Sequence, residues 1–307
     1  MSLEDAGNSL GSQIPLSATY LITAFFTISL YNVIELTIKI FLTFKRRTGV
    51  YFWSCLVATW GIAIYCIGFV LKDFGLANSI SYFYVTLIVV GWWMMVTGQS
   101  MVLYSRLHLI MHNELLLRFV LGMIIVNAII MHIPTTVLAY GANSTDYQRF
   151  LVPYSVFERV QVSIFFGQES IISGLYVYQT NRMFRPGGQM HGDVGRKLLL
   201  YLICISVVVA LMDIIILGLE YAGKYTSQTA VKPVIYSIKL KLEFSILNRL
   251  VIFVQRVRDP TSISFDGSFY DMQQEEQSAN EVHTRRRCWS LVLFVRKARN
   301  EIGIPEK

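Results

Sequence analysis

Seven long apolar stretches, separated by short polar connections, dominate the pattern of hydrophobic and polar positions along the chain. Each is long enough for a bilayer-spanning helix, which needs roughly 20 mainly apolar residues. None alternates with period two, so they are not strands, and helices satisfy their own backbone hydrogen bonds in lipid. The predicted spans are 16–43, 50–71, 82–105, 118–140, 155–180, 197–219 and 233–254. The pattern therefore predicts an all-α polytopic membrane protein with a seven-helix bundle over 16–258.

The basic residues between the spans predict the orientation. One set of connections holds eleven Lys and Arg residues, Arg106 among them, and the opposite set holds four, including Lys232. Cytoplasmic loops are the ones rich in Lys and Arg, so the short N-terminus, 1–15, is predicted outside and the C-terminus in the cytoplasm. The sequon Asn143-Ser144-Thr145 falls in a loop that this count places outside, which predicts glycosylation of Asn143.

Composition supports the membrane assignment and excludes several classes. Apolar residues make up 54% of the 307 residues and charged residues 15%, and the mean hydropathy is +0.49. Soluble chains carry about 25% charged residues, so an ordinary soluble enzyme or a disordered protein is excluded. The net charge of +7 comes from short clusters between apolar runs, so nucleic acid is not a predicted partner. The predicted partner is the lipid bilayer.

The C-terminal region differs from the bundle. Residues 259–284 are rich in Ser, Gln, Asp and Glu and are predicted to form a disordered cytoplasmic linker. Residues 285–307 place basic clusters on both sides of a short apolar run, which suits a helix on the anionic membrane surface; a flexible tail is the alternative. Cys288 in this segment is a candidate for palmitoylation, with an unmodified thiol as the alternative.

Ionisable residues inside the spans are the candidate functional residues, because each is expensive in hydrocarbon and faces a partner or a wet cavity. Five are acidic and five basic, so structural pairs that tie helices together are one interpretation. The ten are Glu35, Lys39, Glu158, Arg159, Glu169, Asp213, Lys239, Lys241, Glu243 and Arg249.

One face of the fifth span is polar. Four of its Glu and Gln residues fall within an arc of about 100°, which predicts that this face points into the bundle. Two ionisable residues of the seventh span are predicted to join them. The predicted ligand pocket or polar core comprises Glu158, Gln161, Gln168, Glu169, Lys241 and Glu243.

The depth of two charged residues in the membrane, judged from their positions along the spans, also predicts one ion pair. Asp213 lies six residues before the outer end of the sixth span, and Lys239 lies six residues after the start of the seventh. Because these helices follow each other in the chain, we expect the two side chains to pair. Lys241 is rotated by about 200° from Lys239, so the two lysines cannot share one partner.

Motifs for chemistry are few. His108 and His112 are four residues apart, a spacing that can chelate a metal, but no third ligand is evident at that depth and solvated interfacial histidines are preferred. The sequence has no serine-hydrolase elbow, phosphate loop or CxxC pair. No enzyme activity, metal or cofactor is therefore predicted.

Four specific stretches carry a family resemblance. They are YNVIE with KRR and YFWS in 31–54, GWW with VTGQS and LYSRLH in 91–108, NAIIMHIPTT in 127–136 and QESIISGLY in 168–176. In these the chain resembles a family of uncharacterised fungal seven-helix integral membrane proteins. That resemblance implies a fold and a fungal membrane. The similarity to G-protein-coupled receptors is one of topology only, since Arg106 lacks the acidic residue that precedes the arginine in those receptors.

These observations predict receptor-like sensing of a small extracellular or lipid-derived molecule, with a cytoplasmic signalling partner, in the plasma membrane. One alternative is a proton-coupled carrier that uses Glu169, Glu243 and Lys241 as a relay. A further alternative is a structural membrane scaffold whose charges only hold the helices together.

Overall fold

The structure, a computed structural model, contains only α-helices as regular elements in the residues that it describes. Those residues are 16–44, 49–73, 81–111, 113–144, 147–183, 193–223 and 225–258. The helices are α1 Leu16–Thr43, α2 Val50–Asp73, α3 Ser81–Ile110, α4 Glu114–Ala142, α5 Tyr147–Met183, α6 Asp193–Tyr221 and α7 Tyr225–Arg258. The all-α prediction is confirmed, and each predicted span lies within one helix. The predicted segments 1–15, 259–284 and 285–307, with Cys288, lie outside the described residues.

Five of these helices, α1 to α4 and α6, are long and apolar enough to cross a membrane. A multi-pass membrane protein is compatible with that number. Helices α5 and α7 do not reach the same apolar content, because they hold most of the ionisable and amide residues that the bundle encloses. Their shortage of apolar residues is thus linked to the interior chemistry described below.

The apolar and polar faces are arranged as expected for a bundle in lipid. Large apolar side chains such as Ile34, Ile133 and Ile214 are exposed on the outer faces of their helices. Many polar and charged side chains, by contrast, are buried. Water-soluble monomers rarely expose apolar surface that extends around the molecule, so this arrangement favours a hydrocarbon environment.

The seven helices form a closed ring in chain order, in which each helix packs against the next and α7 packs against α1. Helix α3 lies further inside, because it also contacts α5 and α7. Helix α7 contacts α1, α2, α3 and α6. These two helices therefore present side chains to the centre of the bundle.

Helices α2 and α3 meet along a seam of glycines. A Cβ atom on Gly91 would lie 2.4 Å from the backbone nitrogen of Tyr65, and one on Gly61 would lie 2.6 Å from the backbone nitrogen of Met95. A Cβ atom on Gly98 would lie 2.8 Å from Ala58 Cβ of α2. Gly91 and Gly98 are seven residues apart and share one face of α3. Small residues allow membrane helices to approach closely. The seam fixes α3 against α2.

Candidate functional site: three charged layers inside the bundle

One face of α7 carries the charges of the interior. Lys232, Tyr236, Lys239 and Glu243 follow one another at spacings of four, three and four residues, so they share a face of the helix. All four side chains are buried. They meet side chains of α3, α5 and α6 in three layers. We call these outer, middle and inner, starting from the end of the bundle that the charge count predicts to face outside.

The outer layer is centred on Lys232. Its Nζ lies 2.8 Å from Glu158 Oε1 of α5 and 3.0 Å from Glu220 Oε2 of α6. The Gln228 amide also donates to Glu158 Oε1, at 2.9 Å. The ammonium lies 5.0 Å from the centre of the Trp92 ring, within the range of a cation–π contact. One base thus joins two acids from two different helices.

The middle layer repeats this arrangement seven residues further along α7. Lys239 Nζ lies 2.5 Å from Glu169 Oε2 of α5 and 2.6 Å from Asp213 Oδ1 of α6. The structure brings together Asp213 and Lys239, the residues that the depth argument pairs, and adds Glu169 as a third member. Glu169 Oε1 has no hydrogen-bond partner among the described residues.

The inner layer is a pair between the Arg106 guanidinium of α3 and the Glu243 carboxylate of α7. Both side chains are 1% exposed. The guanidinium carbon lies 4.1 Å from the centre of the Tyr176 ring of α5, so the aromatic face also contacts the cation. This layer joins one base to one acid.

Gln99 lies between the contacts that α3 makes with α7. Trp92, Gln99 and Arg106 are seven residues apart and share a face. Trp92 packs edge-on against Tyr236, 6.2 Å between ring centres, and Arg106 pairs further along α7. The Gln99 side chain is fully buried, and neither its amide nitrogen nor its oxygen has a partner among the described residues.

The two glutamines of the α5 stripe form their hydrogen bonds with α3 and α4 rather than with α7. Thr135 of α4 donates to Gln161 Oε1 at 2.9 Å. Asn127 of α4 donates to Gln168 Oε1 at 2.8 Å, and Gln168 Nε2 donates to Ser100 of α3 at 2.9 Å. The predicted stripe is therefore divided. Its glutamates contact the lysines of α7, and its glutamines form neutral hydrogen bonds with α3 and α4.

A small cavity of about 50 Å³ lies beside the outer layer. That volume accommodates a few water molecules or a small polar group. Residues of α2, α3, α4, α5 and α7 line it, among them Lys72, Tyr154, Glu158, Gln161 and Lys232. We call it the outer pocket. It contains two of the residues predicted for a ligand pocket, Glu158 and Gln161.

Lys241 does not belong to this interior, which corrects its assignment to the polar core and to the relay. Its Nζ lies 2.6 Å from Asn32 Oδ1 and also pairs with Glu35, which in turn pairs with Lys39. The reason is the rotation of about 200° between Lys239 and Lys241, which directs Lys241 to α1 rather than to the centre.

Three residues of the layers were missed by sequence reasoning. Arg106 was counted with the cytoplasmic connections, but α3 continues to Ile110 and buries it. Lys232 directly precedes the predicted seventh span and was counted with an outer loop, yet α7 begins at Tyr225. Glu220 stood just beyond the predicted sixth span. The seven-residue spacing from Lys232 to Lys239, and from Asp213 to Glu220, was the available signal.

The predicted glycosylation site lies at the end of α4. Asn143 caps the C-terminal end of α4 and is partly buried, and its Nδ2 donates to the Ala139 carbonyl at 2.9 Å. This hydrogen bond must open before the nitrogen can be glycosylated.

Among the described residues, no group of three or more His, Cys, Asp and Glu side chains is placed to hold a metal ion.

Comparison with known proteins identifies a family. A family model described as a domain of unknown function, DUF7703, covers residues 11–260. No curated protein and no solved structure matches the chain. The predicted resemblance to an uncharacterised family is confirmed at this level.

Proposed function

The chain belongs to the DUF7703 family, a domain of unknown function, and we propose from the geometry that it is a receptor-like membrane protein that senses a small molecule. The proposal includes seven spans, an outside N-terminus and a fungal plasma membrane. The ligand enters the outer pocket, and a cytoplasmic partner reads the change at the opposite end of the bundle.

The observation that supports this proposal is the position of the outer pocket against the outer layer. Glu158 and Lys232 line the pocket and are also paired with each other, at 2.8 Å. A polar ligand that binds either side chain competes with that pair. Since Lys232 is on the same helix face as Glu243, a shift of α7 at the pocket also acts on the contact with Arg106.

Single cysteines test where the interior can be reached. In a background with Cys55, Cys66, Cys204 and Cys288 replaced by alanine, a cysteine is placed at Gln161, and a membrane-impermeant thiol reagent is added from either side. The proposal expects labelling from outside only. Labelling from both sides contradicts it, because this result requires a path through the protein.

Coupling between the two ends is the stricter test. A bulky thiol reagent is attached from outside at Gln161→Cys, and a second cysteine at Tyr104, near the cytoplasmic end of α3, is then labelled from inside. We expect attachment in the pocket to change that labelling rate at least about fivefold, as for a coupling free energy of about 1 kcal/mol. The control carries the bulky group at Val152→Cys, an exposed position near the outer end of α5. Equal rates in the two proteins overturn the receptor proposal.

A proton-coupled carrier is the second candidate, and the series of charged layers favours it. Lys232 and Glu243 are eleven residues apart, so the layers follow α7 for about 16 Å. Glu158, Glu169 and Glu243 would form the relay, without Lys241. Vesicles that hold a pH-sensitive dye distinguish the two: proton flux that disappears in Glu169→Gln supports the carrier, and the absence of flux in the wild type contradicts it.

A further inference from the structure

The middle layer has an excess of acid. It contains two carboxyl groups, Glu169 and Asp213, and one ammonium group, Lys239. Lys239 is fully buried, Glu169 is 3% exposed and Asp213 8% exposed. With all three groups ionised, one negative charge would remain unbalanced in the interior. A buried charge without a partner is among the most unfavourable features that a protein can contain.

The neighbouring groups do not supply the missing positive charge. On α3, Arg106 is already paired with Glu243, and Gln99 is neutral. On α7, Tyr236 places the face of its ring 4.8 Å from Lys239 Nζ and contributes no cation. No group of three or more candidate metal ligands is formed within the part of the chain that the structure describes.

The other two layers differ from the middle layer in this respect. The inner layer pairs one base with one acid. The outer layer also has two acids for one base, but it borders the outer pocket, which Lys72 lines as well and which has room for water. Glu158 and Lys232 line this pocket, although Glu220 does not, whereas none of the three residues of the middle layer lines it. The excess carboxyl group of the middle layer is thus enclosed. A proton is the cation that needs no additional space there.

We propose that the middle layer is a proton-binding site, in which Glu169 and Asp213 hold one proton between them while Lys239 remains charged. Two carboxyl groups that share a site bind one proton in this way. Glu169 is the more deeply buried of the two, and its Oε1 is buried without a partner. Glu169 therefore bears the proton, because its ionised form would leave a charged oxygen buried with no donor, and Asp213 remains the ionised partner of Lys239. This inference does not depend on the receptor proposal.

Infrared spectroscopy detects the proton directly, because a protonated carboxyl group has a C=O stretching band that a carboxylate lacks. The wild-type protein is reconstituted in lipid vesicles at neutral pH, and its spectrum is compared with those of Glu169→Gln and Asp213→Asn. Each variant leaves one acid for one base, so we expect the band to be lost in both. Absence of the band from the wild type, or its persistence in both variants, overturns the proposal.

Glu243→Gln is the matched control, because it makes the same substitution at an equally buried glutamate that has its own cation. This variant should keep the band and leave Arg106 without a charged partner. In thermal unfolding we expect Glu169→Gln to stay within about 3 °C of the wild-type Tm and Glu243→Gln to fall by roughly 6 °C or more. Equal decreases in Tm for the two variants contradict an excess of acid in the middle layer. If Glu169→Gln does not fold, Asp213→Asn makes the same comparison.

Discussion

The seam between α2 and α3 and the charged layers that join α7 to α3, α5 and α6 hold the same bundle together by opposite means. At the seam, glycines bring two backbones together, and even a methyl group on Gly91 would lie 2.4 Å from a backbone atom of α2. In the layers, long charged side chains join helices across the interior. Lipid provides no hydrophobic force between helices, so both close packing and polar contacts are needed. The seam is a fixed contact, whereas ion pairs can exchange partners, protons or ligands.

Removing the cation of the middle layer should have the largest effect. Lys239→Met leaves Glu169 and Asp213 without their shared partner, and breaking a buried pair in this way lowers the free energy of unfolding by about 3–5 kcal/mol. The measurement is thermal unfolding in detergent, in a background with Cys204 and Cys288 replaced by alanine, followed by a fluorogenic thiol reagent that reacts with the buried Cys55 and Cys66 as they become exposed.

The triple variant Lys239→Met, Glu169→Gln, Asp213→Asn serves as the control for this prediction, because it removes the base and both acids together. It should recover a large part of the lost stability, since well-packed neutral replacements of buried ion pairs are tolerated. A triple variant that is no more stable than Lys239→Met would show that the charges are not the source of the loss.

A methyl group in the seam should have the next largest effect. In Gly91→Ala the new Cβ meets backbone atoms of Tyr65, which cannot move aside as a flexible side chain would, and we expect a loss of roughly 1–3 kcal/mol. Gly167→Ala in α5 is the control, because nothing lies within 4 Å of its Cβ position. That control should be neutral or more stable by up to about 1 kcal/mol. Similar thermal stability in the two variants would contradict the close contact.

A neutral hydrogen-bonded contact between helices should contribute less to the free energy of unfolding than the middle layer or the glycine seam. Gln168→Leu removes two hydrogen bonds, with Asn127 and with Ser100, and interhelical hydrogen bonds in membranes contribute about 0.6 kcal/mol on average. We therefore expect a loss of about 1 kcal/mol in the same unfolding assay. A loss as large as that of Lys239→Met would place Gln168 among the essential contacts of the interior.

The partly exposed charge cluster between α1 and α7 should contribute least. Lys39 is half exposed and shares Glu35 with Lys241, so Lys39→Gln should change the free energy of unfolding by less than about 1 kcal/mol. Lys241→Gln is the matched comparison and should lose more, because Lys241 also donates to Asn32. A greater loss for Lys39→Gln would reverse this ranking.

The helices could be predicted from the sequence because the length of an apolar run is a local property. Residues 16–43, for example, match α1 at both ends. The interior polar contacts depend on which faces of distant helices meet, and only part of them could be inferred. The contact between Asp213 and Lys239 could be inferred because their helices follow each other in the chain. The contact between Arg106 and Glu243 joins residues 137 positions apart on helices that are not consecutive, so no local pattern indicates it.

The α2–α3 seam was not predicted for a different reason. Gly61, Gly68, Gly91 and Gly98 lie inside apolar runs, where glycine does not interrupt the hydropathy pattern. Their seven-residue spacing indicates a common face on each helix, but the partner of that face cannot be read from either helix alone. Only the position of α2 against α3 shows that both sets of glycines meet.

The length of α7 has a mechanical consequence. The helix has 34 residues, about 51 Å at 1.5 Å per residue, against a hydrocarbon core of about 30 Å. Pro233 lies within it, directly after Lys232, and removes one backbone hydrogen bond there, which weakens the helix at that point. Beyond this pivot about 37 Å of helix continue to Arg258. A rotation of about a tenth of a radian at Pro233 would displace the far end by ~4 Å. We therefore expect α7 to act as a lever, with its short arm beside the outer pocket and a long arm that would amplify small displacements.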